Sequence, residues 1–137
     1  MFPTKSALSS QRKVVPQKSL NTQNNMVARN YRNVKPRENP HNIDVRQLYD
    51  DPSAQIMHIT LRPGESLKPH KTPVDVVFYV LEGNPGIYIG NENCMAEKDM
   101  FIESPADIVH YMVNNGNSPA RVLVIKAPRP VKPTRLL

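Results

Sequence analysis

The chain has 137 residues, a net charge of +6 and one cysteine, Cys94. This length suits one domain with a modest core, and a single cysteine excludes an internal disulfide or a Cys-rich metal module. A lone thiol also fits a reducing compartment, so we predict a cytoplasmic protein. Apolar runs stay well short of the roughly 18 residues of a membrane helix, and no secretory signal is evident, so no membrane partner is expected.

The positive charge is concentrated in the N-terminal part of the chain. Residues 1–40 contain eight Lys or Arg and one acidic residue, Glu38, whereas residues 41–137 contain ten basic and eleven acidic residues. Nucleic-acid-binding domains cluster basic residues on a folded face with aromatic side chains between them. The part of the chain that is expected to fold lacks such an excess, so we predict no nucleic-acid partner.

Residues 1–40 are predicted to be a disordered basic tail. They are rich in Ser, Gln and Asn, contain no glycine, and have too few apolar residues to offset the entropy of ordering. Arg and Ser without acidic residues are also typical of organelle transit peptides, although Pro3 and Pro16 would interrupt the amphipathic helix of such a signal. A third interpretation is that Met26 is the true start of the protein.

From His41 onward the sequence predicts short β-strands. Two stretches alternate apolar and polar residues, as half-buried strands do, and a third is a nearly continuous β-branched and aromatic run, as in a strand buried on both faces. Turn residues recur about every ten positions and no helical period is present. The predicted strands are 42–49, 54–61, 74–82, 86–90, 100–102, 108–113 and 120–126. An all-β barrel or sandwich over residues 41–127 is therefore expected.

Residues 128–137 are predicted to form an extended C-terminal strap. Pro128, Pro130 and Pro133 forbid a helix here and weaken strand pairing. The spacing of Pro130 and Pro133 also matches a PxxP ligand of polyproline-binding domains. A terminal strap is the simpler interpretation.

Gly64, His70 and Gly83 carry the first part of a family resemblance. Their order and spacing resemble the first motif of the cupin family of small jelly-roll barrels, which reads Gly, five residues, His-x-His, three or four residues, Glu, six residues, Gly. The closing Gly83 follows a predicted strand, as that motif requires.

Pro105, His110 and Asn114 carry the second part. They resemble the second cupin motif, which reads Gly, five residues, Pro-x-Gly, two residues, His, three residues, Asn. Asp99 and Asp107 stand where this motif usually has glycine. The resemblance covers about residues 43–127 and implies a small single-domain cupin with an all-β, cupin-type jelly-roll barrel.

The resemblance also implies a degenerate metal-binding motif. In metal-binding cupins the ligands are two histidines and a glutamate of the first motif and one histidine of the second. This chain keeps His70 and His110, but Thr72 stands in the second histidine position and Val76 in the glutamate position. Two imidazoles are fewer than the three protein ligands that zinc and non-haem iron enzymes typically use.

Asp75 lies next to the missing carboxylate position, so its orientation matters. Side chains on a strand alternate, so if His70 points into the barrel, Thr72 and Val76 do too, and Asp75 points outward. A bulge near Pro73 would shift this register and bring Asp75 inside. Asp75 therefore stays an alternative ligand.

Two hypotheses follow for the histidines. In the first, His70 and His110 bind a divalent transition metal (Zn, Fe, Mn or Ni), with Thr72 or Asp75 assisting. In the second, they are hydrogen-bonded pocket residues. In both, a small-molecule ligand is expected in an apolar barrel, beside the side chains of Val76, Phe78, Val80, Met112 and Asn114.

The remaining reactive residues are predicted to be structural. His58 lies on the face of its strand opposite Met57 and Ile59, which favours a surface or inter-sheet role. His41 precedes the domain and is expected to be solvated. Cys94 lacks an evident base for nucleophilic chemistry and is expected to be a small buried apolar residue.

Three functional classes stay open on the sequence alone, because cupin-like barrels host all of them. The favoured class is a protein that binds a small-molecule ligand in the barrel, either together with a divalent metal or without one. The alternatives are a metal-dependent oxygenase or isomerase/epimerase and a non-catalytic sensory or structural module. Edge strands that need covering also predict a homodimer, formed through residues 43–48 or the C-terminal strap.

Overall fold

The computed structural model describes residues 25–137. Residues 1–24 lie outside the described range, and so does most of the predicted basic tail with its transit-peptide alternative. Among the described residues, no helix is long and apolar enough to cross a membrane.

Within residues 25–137, ten strands form two antiparallel five-stranded sheets. Their bounds are β1 Asp44–Asp51, β2 Ala54–Leu61, β3 Ser66–Lys71, β4 Val76–Glu82, β5 Gly86–Ile89, β6 Glu92–Met95, β7 Phe101–Ser104, β8 His110–Val113, β9 Ala120–Lys126 and β10 Arg135–Leu136. The first sheet has the order β1-β2-β9-β4-β7 and the second the order β10-β3-β8-β5-β6. The predicted all-β jelly-roll barrel is confirmed.

The core lies between the inner faces of the two sheets. The central strands β4 and β9 alternate buried and half-buried residues, as expected for strands with one face on the core. Phe78 and Val80 of β4 are fully buried, and Met112 of β8 meets them from the other sheet. This packing fixes the positions of the inward side chains of both sheets, and the histidines of the motifs are among them.

The two aspartates that replace motif glycines adopt the backbone that the glycines would. Asp99 has φ of 71° and Asp107 has φ of 62°. Aspartate enters this left-handed region more readily than most residues, because its short side chain bonds locally. Gly83 has no such substitute, since its φ is 84° and a Cβ there would lie 2.6 Å from the carbonyl oxygen of Pro119. The turns of the motif thus keep their backbone conformation although two of its glycines are replaced by aspartate.

Strand β3 was missed by the sequence pattern because it contains Pro69, which cannot donate to a sheet ladder. The structure accommodates the proline with a bulge: the pairing of β3 with β8 is regular at Leu67 and again at His70, with a register shift between them. Strand β6 and the two-residue β10 were missed as well.

The predicted tail boundary at residue 40 differs from the structure. Tyr31–Asn33 form a 3-10 helix, and the Tyr31 ring stacks on buried His58 with 3.8 Å between ring centroids. Arg46 donates to the backbone carbonyl of Tyr31 at 3.0 Å. The Tyr31 ring and the buried Val34 give residues 25–40 enough contacts to pack on the outer face of the first sheet. The low overall hydrophobicity of the segment gave no indication of this packing.

The C-terminal strap runs from the end of β9 to the free edge of β3. The Arg129 guanidinium lies 3.3 Å from the Asp50 carboxylate, and β10 then pairs Arg135 with Lys71 and Leu136 with His70. The strap therefore crosses from one sheet to the other at the end of the barrel where His70 lies.

Candidate functional site

His70 and His110 lie side by side in the barrel interior. They are paired in register on strands β3 and β8, and their side chains point inward and are buried, with 6% and 1% of their surface exposed. Their Nε2 atoms lie 3.0 Å apart. The Phe78 and His110 rings are arranged edge-to-face, with 5.2 Å between their centroids. The structure thus brings together the two histidines that the sequence selected.

A chain of hydrogen bonds fixes the proton positions in this pair. His70 Nδ1 lies against the carbonyl oxygen of Lys68, which can only accept, so Nδ1 carries the proton and Nε2 is an acceptor. His110 must then donate from Nε2 to His70 and accept at Nδ1, where the Ser104 hydroxyl lies 2.7 Å away. The pair is therefore complete as two neutral imidazoles.

The other predicted ligands divide into one that joins the pair and one that does not. The Thr72 hydroxyl is buried and lies 3.4 Å from His110 Nε2. Asp75 is exposed, and its carboxylate accepts from the backbone N–H of Ala106 at 2.9 Å. The alternative in which a bulge turns Asp75 inward is wrong, because the alternation holds: Thr72 and Val76 are buried and Asp75 is not.

The predicted pocket residues are core residues instead. Val76, Phe78, Val80, Met112 and Asn114 each expose 1% or less of their surface, and none of them lines the three cavities described below. The apolar side chains fill the barrel rather than bound a void. Strand parity shows which side chains point inward, but not whether space remains between them.

Asn114 has a structural role in that arrangement. Its side-chain amide donates to the carbonyl oxygens of Leu61 at 2.8 Å and Ser118 at 2.9 Å. Its Oδ1 accepts from the backbone N–H of Gly116 at 2.9 Å. The final residue of the second motif thus fixes a loop at the opposite end of β8 from His110.

His41 was predicted to be solvated, but the structure places it beside His70. The two ring centroids lie 5.2 Å apart, and His41 Nδ1 accepts from the backbone N–H of Lys68 at 2.8 Å. Burial, followed by the nearby charges of His70 and Lys68, lowers the pKa of His41 to about 4. Its position upstream of both motifs gave no sequence signal for this contact.

Lys126 is the second residue that the sequence reasoning missed. It is the last residue of β9, on the same inward face as Val122 and Val124, and its register partner on the neighbouring strand β4 is Val76. Burial and the charge of Arg37 lower its pKa. The inward parity of β9 would have identified it, because 120, 122, 124 and 126 share one face.

Electrostatics keep the histidine pair neutral. Burial, with the charges of His70 and Lys126 as lesser causes, lowers the pKa of His110 to about 3. Burial is also the main cause of the lowered pKa of His70, and Lys126 again contributes. The site is thus an array of uncharged imidazoles with one lysine ammonium nearby.

A cavity of about 420 Å³ lies at this end of the barrel. Its floor includes inward residues of the first sheet, among them Val45, Met57 and Lys126, and its roof is formed by residues 37–39 and 130–134. A second cavity, of about 500 Å³, lies on the other side of the strap beside Lys71 and Asp107. The strap therefore separates two cavities, and the first one opens onto the barrel mouth.

A third cavity, of about 750 Å³, lies between the edge strands β6 and β7. Cys94 lines it and is half-buried rather than a core residue. His58 lies on the outer face under Tyr31, as the predicted surface or inter-sheet role requires. Neither residue is part of the histidine site.

The donor set at the histidine pair does not fit a transition metal. Among residues 25–137, no group of three or more His, Cys, Asp or Glu side chains is arranged to hold a metal ion. Zinc and non-haem iron sites use three protein ligands or two histidines and a carboxylate, whereas this site offers two imidazoles and the neutral hydroxyl of Thr72. The positive charge of Lys126, which reaches both imidazoles, opposes a divalent cation further.

The comparisons with known proteins agree with the motif and the fold. Residues 57–126 match the family model described as Cupin domain. The tetracenomycin polyketide synthase protein TcmJ of Streptomyces glaucescens is 34% identical over 77 residues, which are 56% of this chain and 52% of that protein. The matched part thus spans about half the length of this curated relative.

Solved structures show the same likeness. The crystal structure of TT1209 from Thermus thermophilus has a TM-score of 0.63 and 32% sequence identity, over 69% of this chain and 90% of that chain. The cupin domain of Cnp3 from Schizosaccharomyces pombe has a TM-score of 0.65 at 15% identity, over 75% of this chain and 70% of that chain. The second likeness is one of fold alone.

Proposed function

This chain belongs to the cupin domain family, and we propose that it binds a small organic ligand at the mouth of its barrel, beside the His70–His110 pair. The observation that carries this proposal is the cavity of about 420 Å³ between inward side chains of the first sheet and the roof formed by residues 37–39 and 130–134. Its volume lies in the range of small-molecule sites. Its wall holds the mixture of apolar and polar side chains that such sites use.

Lys126 connects the cavity with the histidines. It lines the cavity, and its charge acts on His41, His70 and His110. The strap residue Leu136 pairs with His70 on the other side. A ligand in this cavity is therefore within electrostatic reach of the histidine pair while its apolar part packs against Met57 and Val45.

A divalent metal is not required for this function. His70 and His110 are the residues that would hold zinc, iron, manganese or nickel, but their donor set is short of a carboxylate. The pair also satisfies itself, since His110 Nε2 donates to His70 Nε2 at 3.0 Å. Ligand binding without a resident metal is the better-supported form of the proposal.

Binding is also better supported than acid–base catalysis. A general acid or base works best when its pKa lies near the working pH. Here the pKa of His110 is lowered to about 3, and that of His70 is lowered too, so both stay neutral near pH 7. The likeness to a polyketide synthase protein is what keeps an enzyme as the second candidate.

A screen of small organic molecules by protein NMR tests the proposal. We expect hits to shift the backbone amide signals of Val45, Met57 and Lys126. The variant Met57→Trp fills the cavity and should abolish binding, whereas Met95→Trp, at an exposed position, should leave it unchanged. If no compound shifts these signals, or if Met57→Trp binds as the wild type does, the ligand site is not at the barrel mouth, and an enzyme and a structural module are the remaining classes.

We also propose that the protein is a cytoplasmic homodimer. The edge strands of its sheets support this: β1 and β7 bound the first sheet, and β10 and β6 bound the second. Exposed edges of this kind favour pairing with a second copy. Light scattering should give twice the chain mass of 15.5 kDa, and a monomeric mass would contradict the dimer.

A further inference from the structure

Charge at the barrel mouth is inverted relative to a metal-binding site. Val76 stands where the cupin motif has its glutamate ligand, and the residue directly opposite Val76 on β9 is Lys126. Thus the position that would supply a negative charge is apolar, and its cross-strand neighbour supplies a positive one. A cavity with this arrangement is suited to an anion rather than to a cation.

The cavity wall carries an excess of positive charge. Arg37, Lys126 and Lys132 line it, against Glu38 as the acidic residue among its described lining residues. Arg37 donates to the neutral Gln47 side chain at 2.6 Å, so hydrogen bonding there leaves its charge uncompensated.

Within the part of the chain that the structure describes, Lys126 has no partner that compensates its charge. It is half-buried, and it forms no ion pair with any residue in the described range 25–137. Residues 1–24 contain no Asp or Glu that could supply one. A partly buried charge without a partner is costly, so groups of this kind usually have a counter-ion. The structure places the cavity where that counter-ion would lie.

We infer that the ligand is a small organic anion, with a carboxylate or phosphate group at Lys126 and an apolar body against Met57 and Val45. The inference rests on the proposed function, since it assigns the chemical class of the ligand for the same cavity. Lys126 donates to the anionic group, and Arg37 and Lys132 add to the field from the roof. His41 and His70 are not among the residues that line the cavity, and as neutral imidazoles they do not change its net charge.

A charge series of three similar compounds tests the inference. Benzoate, benzamide and benzylammonium have similar sizes and differ in charge, and each is titrated into the full-length protein at pH 7 and low salt, with the amide signals of Met57 and Lys126 as the readout. We expect benzoate to bind about tenfold more tightly than benzamide and benzylammonium to bind least. High salt should weaken benzoate binding most, since part of the field is exposed to solvent.

Variants at Lys126 separate charge from shape. Lys126→Met should reduce benzoate binding to the level of benzamide, Lys126→Arg should keep the preference, and Lys98→Met, at an exposed loop position, should change nothing. Equal binding of benzoate and benzamide, or a preference that survives Lys126→Met, would overturn the anion inference while leaving the cavity as the binding site. Failure of all three compounds, together with an unsuccessful broad screen, would overturn the proposed function as well. The salt dependence of the wild type gives the answer without variants if Lys126→Met fails to fold.

Discussion

His70 and His110 are joined by a single hydrogen bond between their Nε2 atoms, 3.0 Å apart, and the direction of that bond is set by a backbone carbonyl two residues from His70. Because the Lys68 carbonyl accepts from His70 Nδ1, His70 must accept at Nε2 and His110 must donate. The motif histidines are thus partners of each other, where the family resemblance implied partners of a metal.

This direction predicts the tautomer of three histidines. At pH 7, His70 should carry its proton on Nδ1, whereas His110 and His41 should carry theirs on Nε2, because Ser104 and the Lys68 N–H occupy the Nδ1 atoms of His110 and His41. Long-range proton–nitrogen NMR spectra of the imidazole rings measure this directly. A proton on His70 Nε2 would contradict the hydrogen-bond chain.

Acid should destabilise the fold through the neutral histidines. The pKa of His110 is about 3 in the folded protein against 6.5 for an unperturbed histidine, so the unfolded chain binds a proton that the folded chain does not. The contribution is intact above pH 6.5 and is lost progressively as the pH falls toward 3. Between pH 6.5 and 5, His110 alone should lower the unfolding free energy by about 2 kcal/mol.

The matched variant for this effect is His110→Gln, which removes the titrating group and keeps a polar side chain. Chemical denaturation at several pH values should show that the unfolding free energy of His110→Gln depends less steeply on pH than that of the wild type. Between pH 6.5 and 5, the difference in slope should correspond to about one proton fewer taken up on unfolding. Identical pH dependence in the two proteins would show that His110 is not held neutral by burial.

Much of the fold could be predicted from the sequence, and the reason is local. Strands β2 and β9 were predicted at their observed bounds, because β2 alternates apolar and polar residues, β9 contains a continuous aliphatic run, and clear turn signals flank both. Strand β3 was missed because Pro69 argues against a strand, and a bulge between Leu67 and His70 accommodates it only through pairing with β8.

The site was predictable only where a motif marked it. His70 and His110 were found by their spacing, and the outward position of Asp75 follows from strand alternation. Ser104 and His41 reach the pair through tertiary contacts, which no local pattern reports. Phe78 and Met112 are fully buried, and strand alternation does not report whether such inward side chains bound a void or fill it, because that depends on packing from both sheets.

Restoring the missing carboxylate should create a metal site. In Val76→Glu, a carboxylate at the inward position beside the two histidines completes a set of two imidazoles and one carboxylate, so Zn²⁺ should bind at least about tenfold more tightly than to the wild type. Replacing Lys126 by Met in the same protein should strengthen binding again by removing the opposing charge. Titration calorimetry measures both changes.

Val77→Glu is the control, since it adds the same charge one position along the strand, on the outward parity. It should leave Zn²⁺ binding unchanged. Equal gains in Val76→Glu and Val77→Glu would mean that the added charge acts non-specifically and that Val76 does not adjoin the histidine pair.

Tyr31 should contribute to stability, in contrast to the expectation of a disordered tail up to residue 40. Tyr31→Ala removes the ring that covers His58 and should cost about 2 kcal/mol of unfolding free energy, measured by denaturant titration. Tyr31→Phe keeps the stacked ring and should be close to the wild type. A stability of Tyr31→Ala equal to that of the wild type would mean that residues 25–34 contribute nothing to the fold.

The metal content of the protein, purified without an affinity tag, tests the central claim most directly. If the barrel mouth is a metal-independent ligand site, elemental analysis should find zinc, iron, manganese and nickel far below one equivalent per chain, and ligand binding should be unchanged after treatment with a chelator. One equivalent of a transition metal, lost in His70→Ala and required for ligand binding, would contradict the account.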